Sequence, residues 1–347
     1  MAVLHNRISQ AELKKQLLAE TLKRITISFY RYFSIDDPNV FRDKLYVNLF
    51  PLQVFGRVYI AKEGINAQVS IPEENYLSFQ YIIKSIPECE DIYFNEAVDN
   101  DGKSFYVLKI KVREKIVADG ITDPGFSMHK RGKYVDAKDL NRLVNEANTI
   151  LVDMRNHYEY EVGHFNDAIE IPSDTFREQL PMAAEMLQDK KESNIIMYCT
   201  GGIRCEKASA YMLHQGFKNV YHLQGGIIRY ANTVTAQEIE NKFEGKNFVF
   251  DERLGERITD TVIANCHQCG SAADTHTNCK NEACHLLFIQ CETCSVFYEG
   301  CCSDECKAVI ALSEEKQKIL RKQIDKGSMI FNKSKARLRK PIPKRPE

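Results

Sequence analysis

NIIMYCTGGIR, residues 194–204, decides the fold of the middle of the chain. A short apolar run ends at Tyr198, a loop runs from Cys199 to Arg204, and helix-forming residues continue to about Gln215. A strand, a glycine-containing loop and a helix in this order are typical of a parallel sheet, in which ligands bind at the carboxyl ends of the strands. The segment therefore predicts an α/β domain with Cys199 at the ligand-binding edge of its sheet.

The segments on either side extend this pattern over residues 134–232. Strand and helix patterns alternate there, which favours a parallel sheet with helices on both faces. Strands are expected at Thr149–Asp153, Ala168–Ile171 and Val220–Leu223. Helices are expected at 137–147, 174–187 and 204–215, with a last short helix after Gly225-Gly226.

The loop itself favours a negatively charged sulfur on Cys199. Its glycines let several backbone N–H groups point at one place, and the following helix adds the positive end of its dipole. Both effects lower the pKa of a thiol, so we expect a thiolate at neutral pH. Four residues separate Cys199 from Arg204, one fewer than in cysteine phosphatases, so the loop suits a single transferred atom better than a phosphate. The residues expected to cradle the anion are Thr200, Gly201, Gly202, Ile203 and Arg204.

Four further residues are candidates for roles near Cys199. Asp153 and Arg155 follow the neighbouring strand and are expected beside the loop, either as substrate-binding residues or as a structural ion pair. Cys205 is either a resolving thiol for an oxidised Cys199 or a buried helix residue. We expect His164 to be packed and hydrogen-bonded rather than catalytic.

Residues 25–115 predict a second kind of domain. Strands and helices follow the order β-α-β-β-α-β, which is that of a ferredoxin-like (acylphosphatase-like) α+β sandwich. Residues 1–24 predict an amphipathic helix, with Ser9 and Glu12 in capping-box spacing. Residues 116–133 are interpreted as a linker because they are rich in glycine and proline. Many functions use such folds, so this part of the chain indicates none of them by itself.

A Cys-rich module is expected at residues 233–312. Nine of the twelve cysteines lie between Cys266 and Cys306, and their paired spacing fits tetrahedral zinc sites with thiolate ligands. Eight thiolates would serve two structural zinc ions and leave one cysteine over, and His267, His276 or His285 could substitute. Free thiols, disulfides and an iron–sulfur cluster are the alternatives. The candidate ligands are Cys266, Cys269, Cys279, Cys284, Cys291, Cys294, Cys302 and Cys306.

The charge distribution is strongly asymmetric although the net charge is only −1. From Lys316 to Glu347 there are twelve Lys or Arg residues and two acidic residues, so residues 313–347 form a basic tail on an acidic body. Such a tail favours a polyanionic partner such as RNA, or is simply solvated. The chain has no apolar run of the roughly 18 residues that span a bilayer and no signal peptide. We therefore expect a cytoplasmic protein without a membrane partner.

Four segments together resemble one known family. They are AKEGIN (61–66), DMRNHYEYEVGHF (153–165), YCTGGIRCEK (198–207), and FVFDER (248–253) followed by Cys266-His-Gln-Cys269. These segments are similar to the bacterial rhodanese-domain tRNA uridine(34) hydroxylases, the TrhO family. The resemblance extends from about residue 25 to residue 310 and implies that residues 134–232 form a rhodanese domain.

The resemblance implies an oxygen-dependent oxidoreductase that acts on the anticodon loop of tRNA. Such an enzyme hydroxylates C5 of the wobble uridine to give 5-hydroxyuridine, and the family's reactive cysteine maps onto Cys199. The resemblance also implies molecular oxygen as the co-substrate, the cysteine spacing makes zinc a candidate structural metal, and the sequence shows no flavin, haem or NAD motif. Cys199 would then either add to C6 of the uracil ring or carry the oxygen itself.

Two other functions stay open at this point. A rhodanese-type sulfurtransferase carrying a persulfide on Cys199 fits the loop equally well. A non-enzymatic RNA-binding or redox-sensing protein would use the cysteine cluster as its sensor.

Overall fold

The first sheet is organised by a strand whose two faces differ in character. The computed structural model describes residues 10–100, 102–173 and 175–323. In β1 the apolar side chains of Ile27 and Phe29 enter a core against the helices, while Ser28 and Tyr30 face the other way. The elements of this part are α1 (Gln10–Ala19), β1 (Arg24–Tyr32), α2 (Pro38–Leu49), β2 (Phe55–Ala61), β3 (Gly64–Pro72), α3 (Tyr76–Lys84), β4 (Asn95–Glu96) and β5 (Leu108–Val112).

The strand order of this sheet is β4-β1-β3-β2-β5. β3 is antiparallel to both β1 and β2, and β5 runs parallel to β2. The expected α+β fold is therefore confirmed. Ser9, expected to cap the first helix, lies outside the described residues, as does the tail beyond residue 323.

The second sheet is entirely parallel, as the apolar strands predict. Its order is β6-β11-β10-β7-β9, with β10 in the centre. One face packs on α6 and α7 and the other on α4 and α8, so the fold with helices on both faces is confirmed. The elements are β6 (Lys133–Val135), α4 (Ala137–Leu143), β7 (Thr149–Asp153), α5 (His157–Tyr160), β8 (Gly163–Phe165), β9 (Ile169–Glu170), α6 (Phe176–Met186), β10 (Asn194–Tyr198), α7 (Ile203–His214), β11 (Asn219–Leu223) and α8 (Gly226–Ala236).

The remaining elements form a small Cys-rich region that adjoins the second sheet. Its first strand, β12 (Phe243–Asn247), pairs with β8 and with β13 (Glu256–Arg257). Further elements are β14 (His276–Asn278), β15 (Leu287–Ile289), α9 (Glu292–Phe297), α10 (Asp304–Ile310) and α11 (Glu314–Gln323). None of the helices in the described part of the chain is long and apolar enough to cross a membrane.

The first domain docks on α7 through polar contacts. The Tyr30 hydroxyl donates to the carboxylate of Glu206 (2.8 Å), and the Tyr32 hydroxyl donates to the backbone oxygen of Ile203 (3.3 Å). Lys207 forms ion pairs with Glu63 and with Asp119. Buried ion pairs add little net stability, but a mismatched arrangement would leave charges uncompensated. These contacts therefore fix how the first sheet sits over the start of α7.

Candidate active site

Cys199 stands between the end of β10 and the start of α7, as the sequence predicts. Its side chain is buried, and the backbone N–H of Gly202 donates to its Sγ (3.2 Å). Gly202 is the N-cap of α7 and has a φ of +98°, a conformation that side chains beyond glycine rarely adopt. The turn therefore aims a backbone donor at the sulfur, which is the cradle expected from the glycines.

A second glycine turn supports the cysteine loop from behind. The N–H groups of Ile227 and Ile228 donate to the backbone oxygens of Cys199 (3.0 Å) and Thr200 (3.2 Å). A Cβ atom on Gly226 would lie 2.4 Å from the Cys199 oxygen, and the φ of Gly226 is +64°. Glycine is thus required for α8 to approach the loop this closely.

The surroundings of Cys199 favour its charged form. Burial acts against the thiolate, but a hydrogen bond from Cys205, the positive charge of Arg204 and backbone N–H groups outweigh it and lower the pKa of Cys199 to about 6. Burial and the adjacent Cys199 raise the pKa of Cys205 well above its ordinary value. Cys205 therefore stays protonated and serves as a donor to the thiolate in this arrangement.

Arg204 is held by a partner that the sequence reasoning did not identify. Its two terminal nitrogens donate to the two carboxylate oxygens of Glu159 at 2.6 and 2.7 Å, and both side chains are buried. The hydroxyl of Thr200 lies 3.2 Å from the same carboxylate. Arg204 thus acts on the thiolate from within a fixed bidentate pair. The signal in the sequence was the position of Glu159 three residues after Asn156, in capping-box spacing.

Asp153 and Arg155 form an ion pair with each other at the neighbouring strand end. The guanidinium binds the carboxylate at 2.6–3.1 Å and also donates to the backbone oxygen of Gly163, and both side chains are fully buried. The structure does not bring this pair to the lining of the cavity described below. His164 stacks on Tyr160 at 3.9 Å and also lies outside that lining.

A cavity of about 250 Å³ opens at Cys199, and we call it the Cys199 cavity. Three parts of the chain enclose it: the polar face of the first sheet, the cysteine loop, and the segment after β12. The residues of the first sheet that line it include Ser28, Tyr30, Asn66, Gln68 and Asn95. The loop residues that line it are Cys199, Thr200, Gly201, Ile203 and Arg204, whereas Gly202 binds Cys199 Sγ through its N–H group without lining the cavity.

The first sheet brings unpartnered polar atoms to this cavity. Ser28 Oγ and Asn95 Oδ1 are buried and have no hydrogen-bond partner among the described residues. A buried polar atom without a partner costs stability, and a bound ligand that supplies the missing partner is one explanation for it. The alternation of polar and apolar residues along β1 indicates that the strand has a polar face. The alternation alone does not indicate what this face covers.

A cluster of charged residues from the segment after β12 forms another part of the cavity lining. Arg253 is paired with Asp251 and with Glu256, and all three residues line the Cys199 cavity. Burial raises the pKa of Glu256 to about 7 although Arg253 opposes the shift, and its Oε2 has no partner in the described part of the chain. One arginine thus faces two carboxylates, and Glu256 can donate or accept a proton near neutral pH.

Comparison with known proteins identifies the family. The UPF0176 acylphosphatase-like domain matches residues 24–116, the rhodanese-like domain residues 136–233, and the rhodanase C-terminal domain residues 244–307. A tRNA uridine(34) hydroxylase of Pectobacterium carotovorum is 60% identical over 97% of this chain and 96% of its own length. Proteins of the same name from Photorhabdus laumondii and Yersinia pestis are 60% and 59% identical over the same shares. The chain belongs to the tRNA uridine(34) hydroxylase family.

Membership of this family confirms the resemblance drawn from the four sequence segments. The matched length includes both domains that enclose the Cys199 cavity and the Cys-rich region beside them. In this tRNA uridine(34) hydroxylase family member, the rhodanese loop is therefore one wall of a larger site rather than the whole of it.

The Cys-rich region gathers eight thiols into two groups of four. Each group has its sulfur atoms within 4.8 Å of one another. The eight members are the eight cysteines named from the sequence: Cys266, Cys269, Cys291 and Cys294 in one group, and Cys279, Cys284, Cys302 and Cys306 in the other. Cys301 is left over, as expected, and none of the three nearby histidines belongs to either group among the residues described.

The sulfur spacing in these groups fits a four-coordinate metal. Cys269 and Cys291 have their sulfurs 3.6 Å apart, and Cys284 and Cys302 have theirs 3.7 Å apart. A zinc ion with four Zn–S bonds of about 2.3 Å requires sulfurs about 3.8 Å apart, whereas a disulfide requires about 2.05 Å. The residues therefore suit a tetrahedral metal ion.

The state of Cys199 is testable by titration. We expect the ultraviolet thiolate absorbance of the wild type, minus that of Cys199→Ser, to rise with pH around a midpoint near 6. The thiol is protonated below this pH and charged above it. Cys205→Ala removes a donor to the thiolate and should move the midpoint upward.

Cys89→Ala is the control for this titration, because Cys89 is buried in the core of the first domain. It should leave the midpoint unchanged. A wild-type midpoint at the ordinary thiol value near 8.5 would show that the loop does not stabilise the thiolate.

Proposed function

We propose that this protein hydroxylates C5 of uridine 34 in tRNA, with molecular oxygen as co-substrate and Cys199 as the reactive residue. The observation that carries the proposal is the 60% identity to a tRNA uridine(34) hydroxylase over 97% of the chain. The Cys199 cavity supports it, because a thiolate with lowered pKa faces a space closed by a second domain. A carrier of a single sulfur atom has no evident need for this second wall.

The size and polarity of the cavity suit one pyrimidine base. Its volume of about 250 Å³ lies just below the roughly 300–1,000 Å³ of pockets for drug-sized ligands. The edge of uracil offers one N–H donor between two carbonyl oxygens. Asn95 Oδ1 or Glu256 can accept the N–H, and the Ser28 hydroxyl can donate to a carbonyl. The unpartnered atoms of the cavity thus find partners when uracil enters.

Cys199 can activate C5 by adding to the adjacent carbon. Attack of the thiolate on C6 forms a C–S bond and places the electron pair of the C5–C6 double bond in an enolate, so that C5 becomes nucleophilic. After oxygen is bound at C5, loss of the C5 proton and release of the thiolate restore the ring. One atom of O2 stays on C5 and the other leaves as water, which consumes two electrons and two protons from a reductant.

An anticodon base can reach this buried thiolate only by leaving the base stack. Loop nucleotides of RNA are splayed out more easily than paired ones, and enzymes that modify bases bind the extruded base in a pocket. The basic segment from Lys316 onward would attract the tRNA backbone, because Lys and Arg neutralise phosphate charge.

The first prediction of this proposal concerns Cys199. Cells in which the native gene is deleted and replaced by the Cys199→Ser variant should contain no 5-hydroxyuridine derivatives in tRNA. The reason is that a hydroxyl is a far poorer nucleophile than the thiolate. Mass spectrometry of tRNA nucleosides measures this. The matched control is Cys89→Ala, which should restore the modification fully. Unchanged levels with Cys199→Ser would refute the role of Cys199, and thiosulfate-to-cyanide turnover without the modified nucleoside would support a sulfurtransferase.

Oxygen use is tested by isotope labelling. In a reaction under ¹⁸O₂ in ordinary water, the hydroxyl of 5-hydroxyuridine should carry the heavy isotope. The reciprocal reaction in H₂¹⁸O under ordinary oxygen should give unlabelled product. The opposite pattern would mean that water is the oxygen donor and would exclude the proposed reaction.

We further propose that both groups of four cysteines in the Cys-rich region bind zinc in a structural role. All four ligands in each group are cysteines, so every position of a tetrahedral ion is filled by protein, as in structural zinc sites. None of the eight cysteines lines the Cys199 cavity. Zinc would therefore hold this region in shape and take no part in the chemistry.

Metal analysis of the purified protein should find two zinc ions per chain. Replacing Cys266 and Cys294 together by serine should leave one ion, because it destroys only the first group. Cys301→Ser is the control, since this buried cysteine lies beside the second group but belongs to neither, and it should retain two ions. Iron in place of zinc, or loss of metal in the control, would contradict the assignment.

A further inference from the structure

A second cavity of about 270 Å³ adjoins the Cys199 cavity and has a different character. Phe29, Tyr30 and Asn95 line both, so the two spaces are direct neighbours. The second cavity lies between β1, the segment before β4, and the start of α8. We call it the arginine cavity because Arg31, Arg131 and Arg229 line it.

Two of these arginines are neutralised and the third is not. Arg31 is paired with Asp91, and Arg131 is paired with Glu206 at 2.7 Å. Arg229 has no carboxylate partner within the described residues. The arginine cavity therefore has an excess of one positive charge beside the Cys199 cavity.

The unpaired arginine lies over an exposed aromatic ring. The guanidinium carbon of Arg229 lies 3.8 Å from the ring centroid of Tyr93. Tyr93 is 53% exposed. Aromatic rings and guanidinium planes are the surfaces on which single-stranded RNA bases stack, and a free positive charge attracts the phosphates that link them.

We propose that the arginine cavity binds the nucleotide next to the wobble uridine while the uridine occupies the Cys199 cavity. The neighbouring base extends the stack formed by Tyr93 and Arg229, and Arg229 neutralises the phosphate between the two nucleotides. This proposal rests on the proposed function, since it assumes an RNA strand that enters the Cys199 cavity. It assigns to the first domain and α8 a binding site that recognises RNA rather than a free nucleoside.

The stack of Tyr93 and Arg229 is also a contact between two domains. Tyr93 belongs to the first domain, whereas Arg229 belongs to α8 of the second. A neighbouring contact joins the same elements without lining the arginine cavity: the side-chain nitrogen of Asn232 donates to the backbone oxygen of Glu96 (2.8 Å). Asn232→Ala therefore weakens the domain contact and spares the proposed site, which makes it the matched control.

The experiment measures binding of an anticodon stem-loop RNA in the full-length Cys199→Ser background, which prevents turnover. 2-Aminopurine replaces one or the other nucleotide that flanks uridine 34, and its fluorescence falls when it stacks. Arg229→Ala and Tyr93→Ala should each raise the Kd at least about fivefold, the lower end of the effect of losing one base–aromatic stack. One of the two labelled positions should be quenched by the parent protein and not by Tyr93→Ala.

Tyr93→Phe keeps the ring and should bind like the parent, as should Asn232→Ala. Arg229→Ala should also lower the slope of log Kd against log salt by about 0.7, the value for one phosphate contact with a single strand. Loss of affinity in Asn232→Ala equal to that in Arg229→Ala would show a domain contact only. Parent-like binding by both Arg229→Ala and Tyr93→Ala would also overturn the proposal. If the wild-type protein forms no 5-hydroxyuridine, the proposed function itself is refuted. The binding measurements do not depend on product formation, so failure of the arginine-cavity proposal can be distinguished from failure of the proposed function.

Discussion

A negative charge on a buried sulfur is the constraint on which the rest of this structure depends. Cys199 is almost fully buried, and burial alone would keep its thiol neutral. The charge is stable only because donors converge on it from the Gly202 backbone and from Cys205, with Arg204 nearby. Each of these donors requires a specific local geometry. The loop needs glycine at residue 202, and its support needs glycine at residue 226, since a side chain there would collide with the backbone of the loop.

The first turn of α7 shows how this constraint spreads into the fold. Arg204, Cys205, Glu206 and Lys207 are consecutive and all buried, although a helix of a soluble protein normally exposes one face. Successive residues point about 100° apart around the helix, so the four side chains reach four directions. Arg204 reaches Glu159, Cys205 reaches Cys199, and Glu206 and Lys207 reach the first domain and the segment before β6. One helical turn thus sets the thiolate and the position of the domain that covers it.

The sequence predicted those features that local patterns determine. Residues close together in the sequence determine the strand before Cys199, the glycine loop and the eight paired cysteines. The structure has all three features where they were expected. Asp153 and Arg155 show the limit of such reasoning. Their place at a strand end fitted either a substrate-binding role or a structural ion pair, and in the structure the two side chains bind each other away from the lining of the cavity. Sequence spacing gives the position of a charge along a strand and does not give its partner.

The polar face of the first sheet was beyond prediction for a related reason. Alternation in β1 shows that Ser28 and Tyr30 share a face, yet this face would be read as solvated in an isolated domain. Its function arises from contacts between residues far apart in the chain, such as Tyr30 with Glu206. Long-range pairs of this kind depend on how two domains dock, which depends in turn on buried charges that must find partners.

The Cys-rich region affects the site through the chain segment that it anchors. Between β12 and β13 the backbone oxygen of Phe248 lies near the Thr200 hydroxyl, and the ring of Phe250 lies 5.8 Å from the Arg204 guanidinium. The same segment carries Arg253 and ends at Glu256, so it supplies the charged wall of the Cys199 cavity. The Cys-rich region makes a second contact with the rhodanese domain: His267, which follows Cys266 in the sequence, is hydrogen-bonded to Glu161 (2.8 Å). If the two groups of four cysteines bind zinc as proposed, the metal would stabilise the fold of this small region. It would then help to hold Glu256 and Arg253 against the cavity, at a distance from Cys199.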